Sequence, residues 1–247
     1  MKPKLSYTIW FTQRTGSTLL CKALEETQIA GMPHEWLYTW IGDHQVKSPA
    51  ELQMHLWQNG STANGVFGLK HSFHEPHFTK LIETFRWFPT CPAKENNRVK
   101  IWEYALPNHR HIFMTRRNKI RLAVSWWKAI KTAEWHRLPG VSPKPIDLAD
   151  TYSFDAIHHL YCECAMREAG IQEFFSEGGI VPLTIVYEDF IQEYERTVRR
   201  VLAFLGLDTI SLKISPPSLA QTADNISEEW VQRFREELQK GWSHRGW

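Results

Sequence analysis

Short apolar segments alternate with helix-periodic segments along this chain, and this alternation constrains its fold more than any other feature. Strands are predicted at residues 7–12, 111–115 and 181–187, with a weaker one at 66–70. Each is short and rich in β-branched or aromatic residues. Strands that alternate with helices predict an α/β fold, in which helices cover both faces of a mostly parallel sheet in three α/β/α layers.

The segments between the strands have the 3.6-residue spacing of amphipathic helices. Helices are predicted at residues 17–26, 119–132, 154–175 and 191–205, and a last one begins near residue 227. Gly206 follows the fourth of these and is a favourable helix C-cap. Residues 32–64 and 138–152 show no clear period and are predicted to be irregular. No boundary interrupts the pattern, so a single domain over residues 1–247 is expected.

Composition excludes several classes of protein. The chain is 43% hydrophobic and 23% charged, which is typical of a folded domain. Its 29 basic and 27 acidic residues give a net charge of +2, so it is not expected to bind nucleic acid by bulk charge. No run of about 18 apolar residues predicts a membrane span. Four cysteines are few for this length, which favours a reduced, cytoplasmic protein.

The turn after the first strand has the composition of an anion-binding site. Residues 13–18 read Gln-Arg-Thr-Gly-Ser-Thr and lead into a helix, whose first N–H groups and dipole attract an anion. Ser17 and Thr18 add hydroxyl donors, and Arg14 adds a permanent charge. The G-x-x-x-x-G-K-[ST] loop is absent, since no Lys follows Gly16, and this disfavours an ATP-type kinase. An ordinary turn with a Ser cap is the alternative interpretation.

A second candidate phosphate site follows the third strand. Arg116 and Arg117 come directly after that strand, and Ser125 lies eight residues beyond Arg117 within the next helix. A strand-end arginine and a helix serine can bind one phosphate together. The alternative is a surface arginine pair, with the serine bonded to its own helix backbone.

Taken together, these motifs resemble those of sulfotransferases that use 3′-phosphoadenosine 5′-phosphosulfate (PAPS), and more specifically the bacterial trehalose sulfotransferase family. The matching segments follow in the expected order at residues 12–20, 30–36, 68–70, 116–135, 220–224 and 228–230. The resemblance implies a P-loop-type nucleotide-binding sulfotransferase fold. It also implies sulfonate transfer to a hydroxyl or amine of a sugar, alkaloid or other polar metabolite, with adenosine 3′,5′-bisphosphate as product, no metal, and a homodimer.

The resemblance also assigns roles in binding the donor. Arg14 matches the cation beside the transferring sulfonate, where it would stabilise the leaving phosphate. Ser125 matches the serine that binds the 3′-phosphate, together with either Arg116 or Arg117. The remaining loop residues would form the cradle for the 5′-phosphosulfate: Gln13, Thr15, Gly16, Ser17 and Thr18.

Glu35 matches the family's general base, which must take a proton from the acceptor as it attacks sulfur. His34 and His71 are alternative bases, because an unperturbed imidazole titrates near neutrality. Lys70 would reach the sulfonate or the acceptor, and Trp135 would contact the acceptor. One departure stands out: Met32 replaces an acidic residue that the trehalose-specific enzyme has in this turn, which argues against trehalose as the acceptor.

Three other interpretations remain at this point. A zinc site at His158, Cys162 and Cys164 is disfavoured, because Cys164 would point away from the other two on one helix. A small-molecule kinase is a second interpretation. A non-catalytic carbohydrate-binding protein that uses some of its 12 tryptophans is the third.

Overall fold

The computed structural model describes residues 2–41, 48–148, 150–209 and 212–240. The strands are β1 (Leu5–Phe11), β2 (Val66–Ser72), β3 (His109–Thr115) and β4 (Leu183–Val186). The helices of the first half are α1 (Ser17–Glu26), α2 (Trp36–Ile41), α3 (Pro49–Gly60), α4 (His77–Arg86) and α5 (Arg98–Ala105). Those of the second half are α6 (Lys119–Thr132), α7 (Phe154–Gly178), α8 (Tyr187–Gln192), α9 (Tyr194–Phe204) and α10 (Asn225–Gln239).

The four strands form one parallel sheet in the order β2-β1-β3-β4, which confirms the predicted parallel α/β architecture. β1 lies between β2 and β3, with Thr8 opposite both Leu69 and His111. Every residue from Ser6 to Phe11 is buried, as expected for a central strand covered on both faces. The carboxyl ends of β1, β2 and β3 therefore lie side by side.

The chain divides into two compact units, which are described separately. The first comprises Met1–Thr115 and Arg167–Ser218 and contains the sheet. The second comprises Arg116–Met166 and Leu219–Trp247. The single domain over residues 1–247 stays a prediction. Of the two segments predicted to be irregular, residues 42–47 and residue 149 lie outside the described residues. No helix among the described residues is long and apolar enough to cross a membrane.

The core of the first unit is built from aromatic rings around Trp10 on β1. The ring of Trp10 lies 4.8 Å from that of Trp102 on α5 and 5.0 Å from that of Phe174 on α7. Phe78 and Phe85 of α4 also pack against Trp102, at 5.8 and 5.3 Å. Offset and tilted aromatic pairs of this kind add to the hydrophobic energy of burial. Much of the chain's high aromatic content is therefore structural.

Two histidines pack against this core in the neutral form, the buried His111 and the half-buried His109. The indole N–H of Trp10 donates to His111 Nδ1 at 3.0 Å, and that of Trp102 donates to His109 Nε2 at 3.2 Å. A proton on either accepting nitrogen would face an indole N–H. Burial accordingly lowers the pKa of His111 to about 4, and burial with the neighbouring His111 holds the pKa of His109 well below its usual range.

Acid is therefore expected to destabilise the fold through His111. The unfolded chain binds a proton there below about pH 6.5, whereas the folded chain does not until its pKa of about 4 is reached. The contribution of His111 to stability is therefore fully present above the pKa that this histidine has in the unfolded chain, and it is lost as the pH falls through this window. His111→Gln keeps an acceptor for Trp10 but does not titrate. Denaturant unfolding at pH 7 and at pH 5 should therefore show that the variant loses about 2 kcal/mol less stability between these two pH values than the unsubstituted protein does. If both proteins had the same pH dependence, His111 would not be the group responsible.

Two predicted elements in the carboxyl-terminal half are wrong in their bounds. The strand expected at 181–187 is shorter, because Tyr187 already begins α8. The helix expected at 191–205 is interrupted at Glu193, whose backbone is not helical (φ −119°, ψ 49°). Phe190 and Tyr194 stack on either side of this break at 5.4 Å, and both are buried. Tertiary packing thus divides a segment whose apolar spacing is continuous.

The prediction of an irregular segment at 32–64 is also wrong, because it contains α2 and α3. The sequence carries a clear start signal for α3. The side chain of Ser48 caps the helix by accepting from Glu51 N at 3.2 Å, and Pro49 occupies the first helical position. A serine cap followed by Pro and Glu is a recognised helix-start pattern.

The second unit is held together by ion pairs between α6 and the segment that leads into α10. Lys128 is buried, and its ammonium donates to Asp224 Oδ2 at 2.5 Å and to the carbonyl oxygen of Thr222 at 3.1 Å. Asp224 also caps α10 by accepting from Ser227 N at 3.0 Å. Arg121 pairs with Glu228 one turn further along. These contacts give the motif segments near residues 116–135 and 220–230 a shared structural role.

Candidate active site

The loop between β1 and α1 adopts a conformation that depends on glycine. Gly16 is the residue before α1 and has left-handed backbone geometry (φ 80°). A Cβ at this position would lie 2.7 Å from Cδ2 of Tyr187, so the site has no room for any side chain. Arg14 also has positive φ (66°), which is uncommon for a residue with a side chain and is concentrated at functional sites.

The same loop presents hydrogen-bond donors at the start of α1. Thr12, Thr15 and Ser17 are buried, and Thr15 Oγ1 donates to the carbonyl oxygen of Thr12 at 2.7 Å, which holds the turn closed. Gly16 has no side chain to cap the first N–H groups of α1. A closed turn that leads into uncapped helix N–H groups is suited to bind a phosphate or a related oxyanion.

Lys70 connects this loop to the predicted base. It lies on β2, is only 9% exposed, and its Nζ is 4.5 Å from the centre of the Phe11 ring. The ammonium donates to Thr18 Oγ1 at 3.0 Å and to Glu35 Oε2 at 3.4 Å. A buried cation thus lies between the anion-binding loop and a carboxylate.

A cavity of about 250 Å³ opens beside Lys70, at the carboxyl ends of β1 and β2. Four predicted site residues line it: Gln13, Glu35, Lys70 and His71. Five others were not predicted: Tyr38, Ser72, His74, His77 and Arg167. Ser72 could have been found by extending the second strand by two residues. Arg167 lies inside the long helix α7, and no local sequence signal distinguishes it.

The structure separates the three candidate bases. The ring of His34 pairs with Glu25 at 3.5 Å, outside the residues that line the cavity. His71 lines the cavity but is 5% exposed, and burial together with His77 and His74 lowers its pKa to about 3, which makes it a weak base. The Glu35 side chain lines the cavity and is 46% exposed. Glu35 therefore combines access to the cavity with a suitable chemical group.

The predicted 3′-phosphate residues and Trp135 belong to the second unit. Arg116 is half-buried and Arg117 is exposed. Ser125 is half-buried and lies two turns into α6, whose start is capped by Asn118, which accepts from Arg121 N at 3.0 Å. Trp135 follows the end of α6 and is 42% exposed.

The sulfur of Cys162 lies 3.9 Å from Nε2 of His158, and Cys164 is buried in the core of the second unit. Across the described ranges, no group of three or more His, Cys, Asp or Glu residues is placed to hold a metal ion. A free thiol beside one histidine requires no metal to explain it.

Comparison with known proteins agrees with this geometry. Residues 6–237 match the family model described as Stf0 sulphotransferase. The chain therefore belongs to the Stf0 sulphotransferase family, and it is an enzyme that transfers a sulfonate group.

Two relatives are both named trehalose 2-sulfotransferase. The protein from Mycobacterium tuberculosis (strain ATCC 35801 / TMC 107 / Erdman) is 28% identical, over 94% of this chain and 94% of its own. The protein from Mycolicibacterium smegmatis (strain ATCC 700084 / mc(2)155) is 26% identical, over 95% of this chain and 96% of its own. The likeness to both thus extends over nearly the whole sequence.

A solved structure, the crystal structure of a sulfotransferase from Alicyclobacillus acidocaldarius, matches the fold with a TM-score of 0.50. The match covers 97% of this chain and 95% of that one at 13% identity, so it bears on the fold alone. With the parallel sheet and its flanking helices, it confirms the predicted three-layer α/β sulfotransferase fold. The family implies a sulfonate donor and a small-molecule acceptor.

Proposed function

We propose that this enzyme transfers the sulfonate group of PAPS to a hydroxyl or amine of a small polar metabolite, in the cavity of the first unit. One observation carries the proposal. Lys70 Nζ binds both Thr18 of the anion-binding loop and the carboxylate of Glu35. The anion-binding loop, through Gln13, therefore meets the buried cation and the candidate base at one cavity, and these are the groups that sulfonate transfer requires.

The loop residues fit a donor with a terminal oxyanion, because the turn that Thr15 closes leads into N–H groups of α1 that Gly16 has no side chain to cap. PAPS supplies the sulfonate group and a phosphate leaving group. Residues 13–18 would hold the 5′-phosphosulfate. Arg14 and Lys70 would stabilise the charge that develops on the leaving oxygen. Ser125 with Arg116 or Arg117 would bind the 3′-phosphate.

Glu35 would act as the general base. Its partly exposed carboxylate can receive the proton that an acceptor hydroxyl or amine loses as it attacks sulfur. The hydrogen bond from Lys70 Nζ at 3.4 Å holds one carboxylate oxygen of Glu35 in position. The remaining contribution of the protein is positioning, since bond formation and bond cleavage occur in one in-line displacement.

The acceptor is proposed from the cavity lining. Both relatives are named for trehalose, but Met32 stands where the resemblance expects a carboxylate, and Met32 does not line the cavity. Its carbonyl oxygen instead accepts from Trp36 Nε1 at 2.8 Å. Trehalose is therefore the first compound to test and is expected to be a poor acceptor. We also propose a homodimer and a cytoplasmic location, and the latter is supported by four cysteines that form no disulfide.

A thermal-shift titration tests the donor site without knowledge of the acceptor. Adenosine 3′,5′-bisphosphate at about 100 times its dissociation constant should stabilise the protein by about 2.7 kcal/mol. ATP with Mg²⁺ is the comparison and should shift the melting temperature much less. Preferential stabilisation by ATP with Mg²⁺ would favour a kinase. The absence of any shift with either compound would contradict the assignment of the loop as a nucleotide-phosphate site.

A further inference from the structure

Arg167 of α7 forms a hydrogen-bonded group with two residues at the ends of neighbouring strands. Its Nη1 donates to Gln13 Oε1 at 3.1 Å and to Ser72 Oγ at 3.1 Å. Gln13 Nε2 lies 3.4 Å from the same Ser72 oxygen. All three residues line the cavity. The contacts therefore join α7 to the carboxyl ends of β1 and β2 within the first unit.

The chemistry of arginine fixes the polarity of this group. A guanidinium has five donors and no acceptor, so the atoms it contacts must accept. The amide of Gln13 is thereby oriented with its oxygen toward Arg167 and its N–H toward Ser72. Ser72 Oγ then accepts two hydrogen bonds, which use both of its acceptor positions. Neither contact uses the hydroxyl hydrogen of Ser72, which is left to donate to a ligand in the cavity.

The position of Ser72 indicates which ligand atom it faces. Ser72 and Lys70 are two residues apart on β2, so their side chains share one face of the strand. On that face, Lys70 reaches Thr18 of the anion-binding loop. Ser72 pairs in register with Phe11, the last residue of β1 before the loop. The free hydroxyl hydrogen is therefore on the loop side of the cavity, where the donor's transferable group would lie.

We propose that Ser72 donates a hydrogen bond to an oxygen of the transferring sulfonate, and that Arg167 is the positioning residue that aims it. The proposal rests on the proposed function, because it requires PAPS as the donor. Arg167 acts through Ser72: it donates to Ser72 Oγ directly, and it orients the Gln13 amide whose Nε2 contacts the same oxygen. When Arg167 is removed, the Ser72 hydroxyl can rotate and donate to Gln13 Oε1 instead.

Calorimetric titration of PAPS and of adenosine 3′,5′-bisphosphate tests this directly, because only PAPS carries a sulfonate. Ser72→Ala and Arg167→Met should each weaken PAPS binding by about tenfold, the effect of one hydrogen bond to a charged group. Both variants should bind the bisphosphate as the unchanged protein does. The double variant should lose no more PAPS affinity than Ser72→Ala alone, since Arg167 acts through Ser72.

Arg98→Met is the matched control. Arg98 also anchors α7, through a bidentate pair with Glu177 at 2.6 Å, but it does not line the cavity. This variant should lower the melting temperature and leave the ratio of the two affinities unchanged. If Ser72→Ala and Arg167→Met left the ratio of PAPS affinity to bisphosphate affinity unchanged, whether or not both affinities fell, the proposal would be overturned. Failure of the unsubstituted protein to bind either nucleotide would instead overturn the proposed function.

Discussion

Replacement of Glu35 by Gln is expected to lower kcat by about 10²- to 10⁴-fold, the usual contribution of a general base. Glutamine keeps an oxygen that can accept from Lys70 Nζ, so the cavity should keep its shape. Affinity for adenosine 3′,5′-bisphosphate should not change, because Glu35 acts on the acceptor. Initial rates of sulfonate transfer, measured together with bisphosphate titrations, separate these two effects.

Glu25→Gln is the matched control for this variant. Glu25 pairs with His34 at 3.5 Å and does not line the cavity, so the same chemical change there should leave the rate unaltered. If Glu35→Gln kept the full rate, the base would have to be sought elsewhere. His71 would be a poor choice at neutral pH, because burial lowers its pKa to about 3.

Lys70→Met is expected to lower kcat/KM by about 10²- to 10³-fold, as for loss of a preorganised charge at a reacting centre. Methionine fills a similar volume and can keep the packing against Phe11, while the contacts to Thr18 and Glu35 disappear. Thermal unfolding should therefore change little while the transfer rate falls. Steady-state kinetics and a melting curve on the same preparation provide the test.

Lys100→Met, on the exposed surface of α5, controls for the loss of one positive charge and should retain full activity. A Lys70→Met protein with normal kinetics would show that the ammonium only stabilises the fold around Glu35. If the Lys70→Met variant is unfolded at room temperature, the Lys70→Arg variant is used in the test in its place. That variant keeps the charge in a different geometry and should retain part of the rate.

The sequence predicted the elements whose ends carry local signals. The bounds of α1 and α6 agree with prediction, because each is an amphipathic segment that begins directly after a turn or a capping residue. The break at Glu193 was not predictable from apolar spacing, since it depends on packing of Phe190 against Tyr194. Periodicity records which residues are buried, but not where a helix changes direction.

The same distinction applies to the candidate site. The sequence predicts residues 13–18, Glu35 and Lys70 as site residues because each lies in or near a recognisable motif or at a strand end. Arg167 meets Gln13 and Ser72 across 154 and 95 positions of sequence, and such a contact is created only by the fold. Likewise, His71 was an unperturbed histidine in the sequence, and only its burial among aromatic rings shows that it stays neutral.

The most direct test of the central claim is to follow a radiolabelled sulfonate group from PAPS into a panel of small hydroxyl and amine compounds, beginning with trehalose. The account predicts acceptor-dependent formation of a labelled product, an equal amount of adenosine 3′,5′-bisphosphate, and loss of both in Glu35→Gln. Release of the bisphosphate at the same rate with and without acceptors, or equal transfer by Glu35→Gln, would contradict it.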